Sequence, residues 1–281
     1  MNRRKFILNS TLTGFSLLLP NIIFSNTSIF DKIIKDAKKL MWHKLPINEL
    51  IIKVAKNFIG IPYVAHTLEI NEKEQCVVDL NGLDCVTFFE NSLCLARIIK
   101  KQLYTFNDLI KEVTFTRYRD GILIDYTSRL HYTSDWINNN VQKKVVRMIG
   151  EEYNFPSFKP NVYYMSNNPD KYKQLENNPK FIEEIKKIEN QINKLNLYFI
   201  PKDNISEYVK YIQNGDIIAL RTNIEGLDYS HTGLAFKVKD TVRLFHASTK
   251  TGNVLIDVNI EEYLKNKKRD VGITVIRALE T

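Results

Sequence analysis

The stretch Leu83-Asp84-Cys85-Val86-Thr87-Phe88-Phe89-Glu90 contains the residues around which the rest of the chain is organised. It follows a turn signal at Asn81-Gly82 and opens a helical pattern that runs to about Lys101. The pattern is apolar on nearly all sides, which indicates a buried helix. Cys85 falls in the first turn, where free backbone N–H groups and the helix dipole favour an anion. We therefore expect Cys85 to have a lowered pKa and to act as a nucleophile; the alternative is a small buried hydrophobic residue.

Length and composition are those of a globular protein. The chain has 281 residues, which suffices for one large or two small domains with a sizeable core. The net charge of +8 comes from scattered lysines, without a dense basic run or a nucleic-acid motif. We therefore expect no nucleic-acid partner, although the positive excess suits contact with an anionic polymer.

The N-terminus has the features of a targeting segment. Arg3-Arg4-Lys5 is basic, residues 6–24 are mostly apolar, and small residues at 25–28 suit cleavage. The basic residues with Phe6-Ile7 also resemble a twin-arginine signal, which would imply export after folding. No later apolar run approaches the roughly 20 residues that span a bilayer. We predict a signal peptide over 1–28, one domain over 29–281, and an exported, periplasmic or cell-envelope protein without a stable membrane span; an uncleaved anchor is the alternative.

The chain contains three cysteines, Cys76, Cys85 and Cys94. In an exported protein an odd number leaves at least one thiol unpaired. Cys85 and Cys94 lie on opposite sides of one helix and cannot form a disulfide with each other. Their spacing matches no zinc-binding pattern. We expect neither a metal nor an organic cofactor.

The chain changes from helices to strands along its length. Helical stripes predominate in the first part, and a further helix starts at Asn178-Pro179, where asparagine can cap and proline suits the first position. From Ile217 to Arg277, short β-branched runs alternate with turn residues, as in an antiparallel meander. This order predicts an α+β fold, with helices packed on one side of an antiparallel sheet.

Two histidines of the predicted strands fall on one face. A nucleophilic cysteine needs a base within hydrogen-bond reach and a third group that orients the base. If Val238 pairs with Thr241 across a two-residue turn, alternation places His231 beside His246. A register shifted by one residue would separate them. We expect His231 to be the base and His246 to be the orienting group.

Residues 117–136 form a dense polar and aromatic block that fits neither a helical nor a strand period. Aromatic rings alternate there with Arg, His and Asp. This mixture is typical of sites that bind a polar ligand such as a sugar or a peptide. The alternative is a loop whose polar groups bind one another.

Four segments lie around the candidate residues, namely Gly60-Ile61-Pro62-Tyr63, Leu83 to Phe88, Ser230-His231-Thr232-Gly233 and Phe245-His246-Ala247-Ser248. In this order they resemble the signature blocks of the NlpC-type cell-wall cysteine hydrolases, which have a papain-like fold. The resemblance covers residues 58–258 and implies a Cys85–His231–His246 triad with Tyr63 in the active site. Two glycines usually follow that tyrosine in the family, where His66 and Thr67 stand here.

Further segments are Leu68-Glu69, Phe89-Glu90-Asn91, Arg117 to Gly121, Ser128 to Tyr132 and Asp135-Trp136. Together they resemble one subfamily of these hydrolases, the N-acetylmuramoyl-L-alanine amidase-like subfamily. The resemblance implies cleavage between N-acetylmuramic acid, favoured in its 1,6-anhydro form, and L-alanine in peptidoglycan or muropeptide fragments. The expected substrate-binding residues are Tyr63, Asp84, Arg129, His131, Tyr132, Asp135 and Ser230. The alternatives are an endopeptidase that cuts the stem peptide between D-glutamate and the diamino acid, and a non-catalytic cell-wall binding module.

Overall fold

An antiparallel sheet with helices on both faces forms the part of the chain that the computed structural model describes, residues 19–281. The helices are α1 (Leu19–Lys39), α2 (Ile47–Ala55), α3 (Cys85–Lys100), α4 (Phe106–Arg117), α5 (Thr133–Gln142), α6 (Tyr164–Asn167), α7 (Pro179–Ile192), α8 (Ile205–Tyr208) and α9 (Ile260–Lys265). The strands are β1 (Val146–Met148), β2 (Ser157–Phe158), β3 (Leu197–Tyr198), β4 (Ile200–Pro201), β5 (Ile217–Thr222), β6 (Tyr229–Val238), β7 (Thr241–Ser248), β8 (Asn253–Asn259) and β9 (Asp270–Ala278).

The main sheet has the strand order β1-β9-β5-β6-β7-β8, with β4 also paired to β9. These pairs are antiparallel, which confirms the predicted α+β class. Strands β5 to β8 form the predicted meander. Strand β9 instead returns across the sheet to pair with β5. The sequence analysis missed β1, because a strand of three residues is too short to show alternation.

The hairpin between β6 and β7 has the predicted register. Val238 pairs with Thr241, and Leu234 pairs with Phe245 further along the strands. Lys239 supplies the positive φ of 54° that a two-residue turn needs. At Gly233 a Cβ atom would lie 2.8 Å from the carbonyl oxygen of Phe245. The two strands therefore approach closely where the histidines lie.

Helices α2 and α3 pack on one face of the sheet, where Phe88 lies against Phe58 and Phe245. The opposite face is covered by the short helices α8 and α9, whose Ile205, Ile260 and Leu264 share a core with sheet residues. The sequence analysis placed helices on one side only. An apolar stripe shows that a helix is buried, but it does not show which face of the sheet the helix covers.

Helix α1 runs without interruption from Leu19 to Lys39. Residues 1–18 of the predicted signal peptide lie outside the described residues, and its residues 19–28 belong to α1. Further along this helix, Phe30 and Ile33 are buried in the core. In the described range, no helix combines the length and the apolar character needed to cross a membrane. Signal cleavage and the domain boundary at 28/29 stay predictions.

The polar and aromatic block contains a helix that the sequence analysis did not predict. Helix α5 begins at Thr133 and includes Asp135 and Trp136. Its Asn140 is fully buried and donates hydrogen bonds to the carbonyl oxygens of Thr116 and Trp136, both at 2.9 Å. Because buried polar residues occupy this helix, the apolar period that marks a helix is absent from the sequence.

Replacing Phe88 by alanine tests how strongly the sheet depends on α3. Phe88 is fully buried between Phe58 and Phe245, so Phe88→Ala should lower the free energy of unfolding by about 3–5 kcal/mol. Ile124→Ala is the control, because Ile124 is 76% exposed and should change this free energy by less than about 0.5 kcal/mol. Equal denaturation midpoints for the two variants would contradict the packing described.

Candidate active site

Cys85 is the first residue of α3, and a capping box defines this start. The Asp84 carboxylate accepts the Thr87 backbone N–H at 2.7 Å, and the Thr87 hydroxyl accepts the Asp84 backbone N–H at 2.9 Å. Two otherwise unpaired donors of the helix start are thus satisfied. The Cys85 backbone N–H lies among those left without an intrahelical partner.

Tyr63 lies beside this helix start. Its segment is joined to the capping region by hydrogen bonds from Val64 N–H to the Leu83 carbonyl and from Leu83 N–H to the Pro62 carbonyl, each at 3.1 Å. Burial raises the pKa of Tyr63 to about 12, and negative charge on Cys85 or Asp84 adds to this rise. Tyr63 is therefore a neutral hydrogen-bonding phenol next to the sulfur.

His231 and His246 form a direct hydrogen bond. The Nε2 atom of His231 lies 2.6 Å from the Nδ1 atom of His246, and the two rings are nearly perpendicular at 89°. His246 is buried, whereas His231 is partly exposed. Because Nε2 of His231 is occupied, its Nδ1 is the ring nitrogen that can serve another group. Thr232, the next residue along β6, lies at the Cys85 sulfur.

Asp257 extends this chain of hydrogen bonds to a carboxylate. Its Oδ2 lies 3.2 Å from Nε2 of His246, and the ring of Tyr263 packs edge-on against His246 with 5.4 Å between centroids. Burial lowers the pKa of His246, and the Asp257 carboxylate opposes that shift. The sequence analysis missed Asp257, because the β7–β8 register shifts between Arg243 and Phe245 and simple alternation fails across such a bulge.

Burial dominates the protonation of the two central groups. It raises the pKa of Cys85 to about 11, and the negative charge of Asp84 adds to this rise, although the Cys85 backbone N–H acts in the opposite direction. It also lowers the pKa of His231 to about 3. The direction of the Cys85 shift is opposite to the predicted low thiol pKa. Burial favours the neutral thiol and the neutral imidazole over the charged pair.

A pocket of about 190 Å³ adjoins the helix start, and we call it the Arg129 pocket. It is lined by charged and polar side chains together with apolar ones, namely His66, Leu68, Glu69, Asp84, Val86, Glu90, Arg117, Arg129, Leu130, His131 and Trp136. Three of the expected substrate-binding residues, Asp84, Arg129 and His131, thus lie around one cavity. A cleft that carries polar groups beside apolar side chains suits a small polar ligand.

The protein itself holds Arg129 and His131 in place. Arg129 forms a short ion pair with Glu69, donates to the Leu68 carbonyl at 3.1 Å, and stacks on the Tyr126 ring at 4.9 Å. Nε2 of His131 lies 2.8 Å from the Tyr126 carbonyl oxygen. Burial lowers the pKa of His131 well below its usual value, so the ring is a neutral hydrogen-bonding group.

A buried ion pair that the sequence analysis did not include in the site forms one wall of the pocket. Nε of Arg117 donates to the Glu90 carboxylate at 2.7 Å, and the indole N–H of Trp136 donates to the same carboxylate at 3.2 Å. Arg117 and Glu90 are both at least 97% buried. Paired in this way, the two charges are tolerated in the interior.

Tyr132 and Asp135 do not line the Arg129 pocket, and their contact with substrate stays a prediction. The Tyr132 hydroxyl is buried, donates to Glu189 at 2.7 Å and accepts the Met165 backbone N–H at 2.9 Å. The Asp135 carboxylate accepts two hydrogen bonds from Arg119, at 3.1 and 2.6 Å. Both side chains are committed to protein partners and brace the surrounding structure.

Ser230 lies next to His231 at the start of β6 and is exposed. Its hydroxyl donates to the Asp270 carboxylate at 2.6 Å. Ser230 is thus at the rim of the site, where its contact with substrate stays a prediction.

Nucleophilic hydrolases use the groups that are found in this site. These groups are a thiol at a helix start, two hydrogen-bonded imidazoles of which the second contacts a carboxylate, and an adjoining pocket. The family model described as N-acetylmuramoyl-L-alanine amidase-like matches residues 53–273. The chain belongs to this family. Its membership supports an enzyme of the amidase class.

Two solved structures share both sequence and fold with the chain. An N-acetylmuramoyl-L-alanine amidase from Bacteroides uniformis is 32% identical, with a TM-score of 0.78 over 83% of this chain and 99% of that chain. A Bacteroides fragilis protein provisionally described as a xylanase is 37% identical, with a TM-score of 0.75 over 79% of this chain and 98% of that chain.

A Legionella pneumophila protein, 21% identical with a TM-score of 0.67 over 92% of this chain and 95% of that chain, shows the shared fold alone. No curated protein sequence matches the chain at significant similarity.

The pKa of Cys85 predicts how its alkylation depends on pH. Only the thiolate reacts, and with a pKa of about 11 its fraction rises about tenfold per pH unit between pH 6 and 10. The rate of iodoacetamide labelling, followed by mass spectrometry of the Cys85 peptide, should rise accordingly. The urea-unfolded chain is the control and should level off near its ordinary pKa of about 8.5. A folded-state rate that is already constant from pH 6 would show a thiolate–imidazolium pair instead.

Proposed function

We propose that the protein is a cysteine amidase with a papain-like site that cleaves the amide bond between N-acetylmuramic acid and L-alanine in peptidoglycan fragments, the 1,6-anhydro form included. Family membership supports an amidase and a cell-wall substrate. The observation that carries the cysteine mechanism is the 2.6 Å hydrogen bond between His231 and His246, formed beside the Cys85 helix start.

In the proposed reaction Nδ1 of His231 takes the proton of Cys85 while the sulfur attacks the lactyl carbonyl carbon. Burial supports this order, because it disfavours the thiolate and the imidazolium in the resting site. The imidazolium that forms is stabilised through His246 and the Asp257 carboxylate behind it. The Cys85 backbone N–H donates to the developing oxyanion.

The same proton then leaves with the product. His231 donates it to the nitrogen of L-alanine as the carbon–nitrogen bond breaks, which leaves a thioester on Cys85. Water attacks this thioester with His231 as the base, and the muramic acid departs with a free carboxylate. Neither a metal nor an organic cofactor enters these steps.

The Arg129 pocket is proposed to bind the muramyl sugar. It adjoins Asp84, which precedes the nucleophile, and combines guanidinium, imidazole and indole groups. Such groups can donate to sugar hydroxyl and acetamido oxygens while Leu68, Leu130 and Trp136 cover the apolar face of a ring. Sugar binding here would place the lactyl carbonyl, which is attached to the sugar, at Cys85.

Two other activities remain as alternatives, and each has a distinct product. A stem-peptide endopeptidase would release a shortened peptide, and a glycosidase would release a new sugar end. A glycosidase requires two carboxyl groups that flank the bond, but Asp84 caps α3, Glu90 pairs with Arg117 and Glu69 pairs with Arg129. A non-catalytic module would release nothing. Mass spectrometry of the products from one purified muropeptide separates all four.

The family suggests an extracytoplasmic location for the protein. We propose export through the N-terminal signal over residues 1–28, with the mature chain acting in the periplasm or cell envelope.

Removing the nucleophile and the base tests the mechanism. Cys85→Ser should abolish turnover of a purified muropeptide, and His231→Ala should lower kcat by about 10³-fold or more, since both take part in the chemistry. His246→Ala should lower kcat by a smaller factor, because His246 orients the base. Asp257→Asn should lower kcat about tenfold, which corresponds to about 1.4 kcal/mol for one hydrogen bond to a charged group.

Cys76→Ser is the matched control for the nucleophile and should keep kcat within a few-fold, because Cys76 lies away from the histidines and its sulfur faces the Ile110 carbonyl. Full activity of Cys85→Ser, or a His43→Ala loss equal to that of His231→Ala, would overturn the assignment.

The sugar pocket is tested with two substrates that differ only in the sugar. Arg129→Ala should lower kcat/KM for N-acetylmuramoyl-L-alanine peptides but much less for N-lactoyl-L-alanine peptides, because an unpaired pocket group discriminates strongly between ligands. Tyr132→Phe is the control: it loses the hydrogen bond to Glu189, so the melting temperature should fall while kcat/KM stays unchanged. If Arg129→Ala lowered kcat/KM equally for both substrates, Arg129 would have a structural role only, and the proposed sugar pocket would lose its support.

A further inference from the structure

Arg221, on β5, is a half-buried cation without an acidic partner. Its guanidinium carbon lies 4.3 and 4.4 Å from the ring centroids of Phe158 and Phe199, in the corner formed by these two nearly perpendicular rings. Within residues 28–281, whose side chains are described, every other interior arginine named above is paired with a carboxylate, whereas no carboxylate forms an ion pair with Arg221. A guanidinium held by cation–π contacts keeps N–H groups for a planar anion.

The guanidinium borders a cavity of about 290 Å³, which we call the Arg221 cavity. Lys159 contributes a second positive charge to the lining, and Glu225 and Asp228 contribute the negative ones. Both acids already have partners. Asp228 accepts backbone N–H groups from Ser134 and Tyr229 at 2.7 and 2.8 Å, and Glu225 accepts the Tyr163 hydroxyl. The two cations, Arg221 and Lys159, form no ion pair within the described residues and are available to an anion.

The walls of the cavity are fixed by backbone contacts. The Gly226 carbonyl accepts the backbone N–H groups of Tyr163 and Tyr164, both at 3.2 Å, and Val162 forms a bridge with Gly226. Gly226 has a φ of 76°, in the region that glycine adopts without strain. The cavity is therefore formed before any ligand binds, which lowers the entropic cost of binding.

The cavity lies close to the proposed nucleophile along the sheet. Ala219 pairs with Thr232, which lies at the Cys85 sulfur, and Arg221 is two positions further on β5, or about 7 Å along the strand. Ala219 faces the core shared with α3, and Arg221 lies on the same side, because its contact Phe158 packs against that core. The cavity is therefore on the face of the sheet that carries the α3 helix, about two residues along the strand from the position beside Cys85.

We propose that the Arg221 cavity binds a carboxylate of the peptide part of the substrate, that of the acidic residue that follows L-alanine. This inference rests on the proposed function. The guanidinium edge binds the carboxylate through two parallel N–H···O hydrogen bonds, the geometry that arginine offers and lysine does not. The Arg129 pocket and the Arg221 cavity then hold the two sides of the scissile amide.

The test measures binding without turnover, in the full chain carrying Cys85→Ser. The probes are N-acetylmuramoyl-L-alanyl-D-glutamate and the same compound with both carboxyl groups converted to carboxamides. Calorimetry should show that Arg221→Gln weakens the affinity for the acid by about 10–100-fold, as expected for a hydrogen-bonded charge pair. The affinity for the diamide should change by less than about threefold. Arg221→Lys should recover only part of the loss. Arg147→Gln is the matched control, because Arg147 is a surface arginine paired with Glu152.

Each outcome has one meaning for the cavity. Three results would overturn the proposal. Arg221→Gln could weaken binding of the acid and of the diamide equally, it could leave the affinity for the acid unchanged, or neither probe could bind. Turnover of the muropeptide by the wild-type chain is measured separately. Turnover that does not depend on Arg221 would support the proposed amidase activity and contradict the carboxylate subsite. Charge-selective binding without turnover would support the subsite and contradict the amidase activity.

Discussion

Asp84 and Thr87 exchange hydrogen bonds at the start of α3, and the geometry of the site depends on this pair. The box determines at which residue the helix begins, so it also determines that Cys85 occupies the first position. Leu83, just before the box, holds the Tyr63 segment through its backbone. Behind the box, Phe88 joins α3 to the sheet through Phe245, one residue from His246. A short local interaction thus brings together three elements that are distant in sequence.

Two opposing effects act on the Cys85 thiol, and their magnitudes decide the result. A helix N-terminus stabilises a negative charge by about 0.3–2 kcal/mol. A rise of the pKa from 9.0 to about 11 corresponds to about 3 kcal/mol against the thiolate. Burial therefore outweighs the dipole. The same burial lowers the pKa of His231, so it disfavours charge on the thiol and on the imidazole alike.

Local patterns predicted part of the fold and site. The two-residue turn at Lys239-Asp240 was enough to place His231 beside His246, because strand alternation is exact over a regular hairpin. Asp257 could not be found this way, since a bulge interrupts the β7–β8 register. Composition could not assign roles within the polar and aromatic block. Tyr132 and Asp135 have the chemistry of ligand-binding groups, and in the structure they bind Glu189 and Arg119. A sequence does not distinguish protein partners from ligands.

Burial of the thiol also bears on its reactivity toward oxidants. Oxidation of cysteine follows its thiolate character and its exposure. Because burial raises the pKa of Cys85, it lowers the fraction of thiolate that an oxidant can attack. A preformed thiolate–imidazolium pair would be more reactive toward substrate and oxidant alike. In the proposed mechanism the thiolate forms only during attack, and the hydrogen bonds from His231 through His246 to Asp257 stabilise the imidazolium, so the reactivity of the thiol depends on a bound carbonyl.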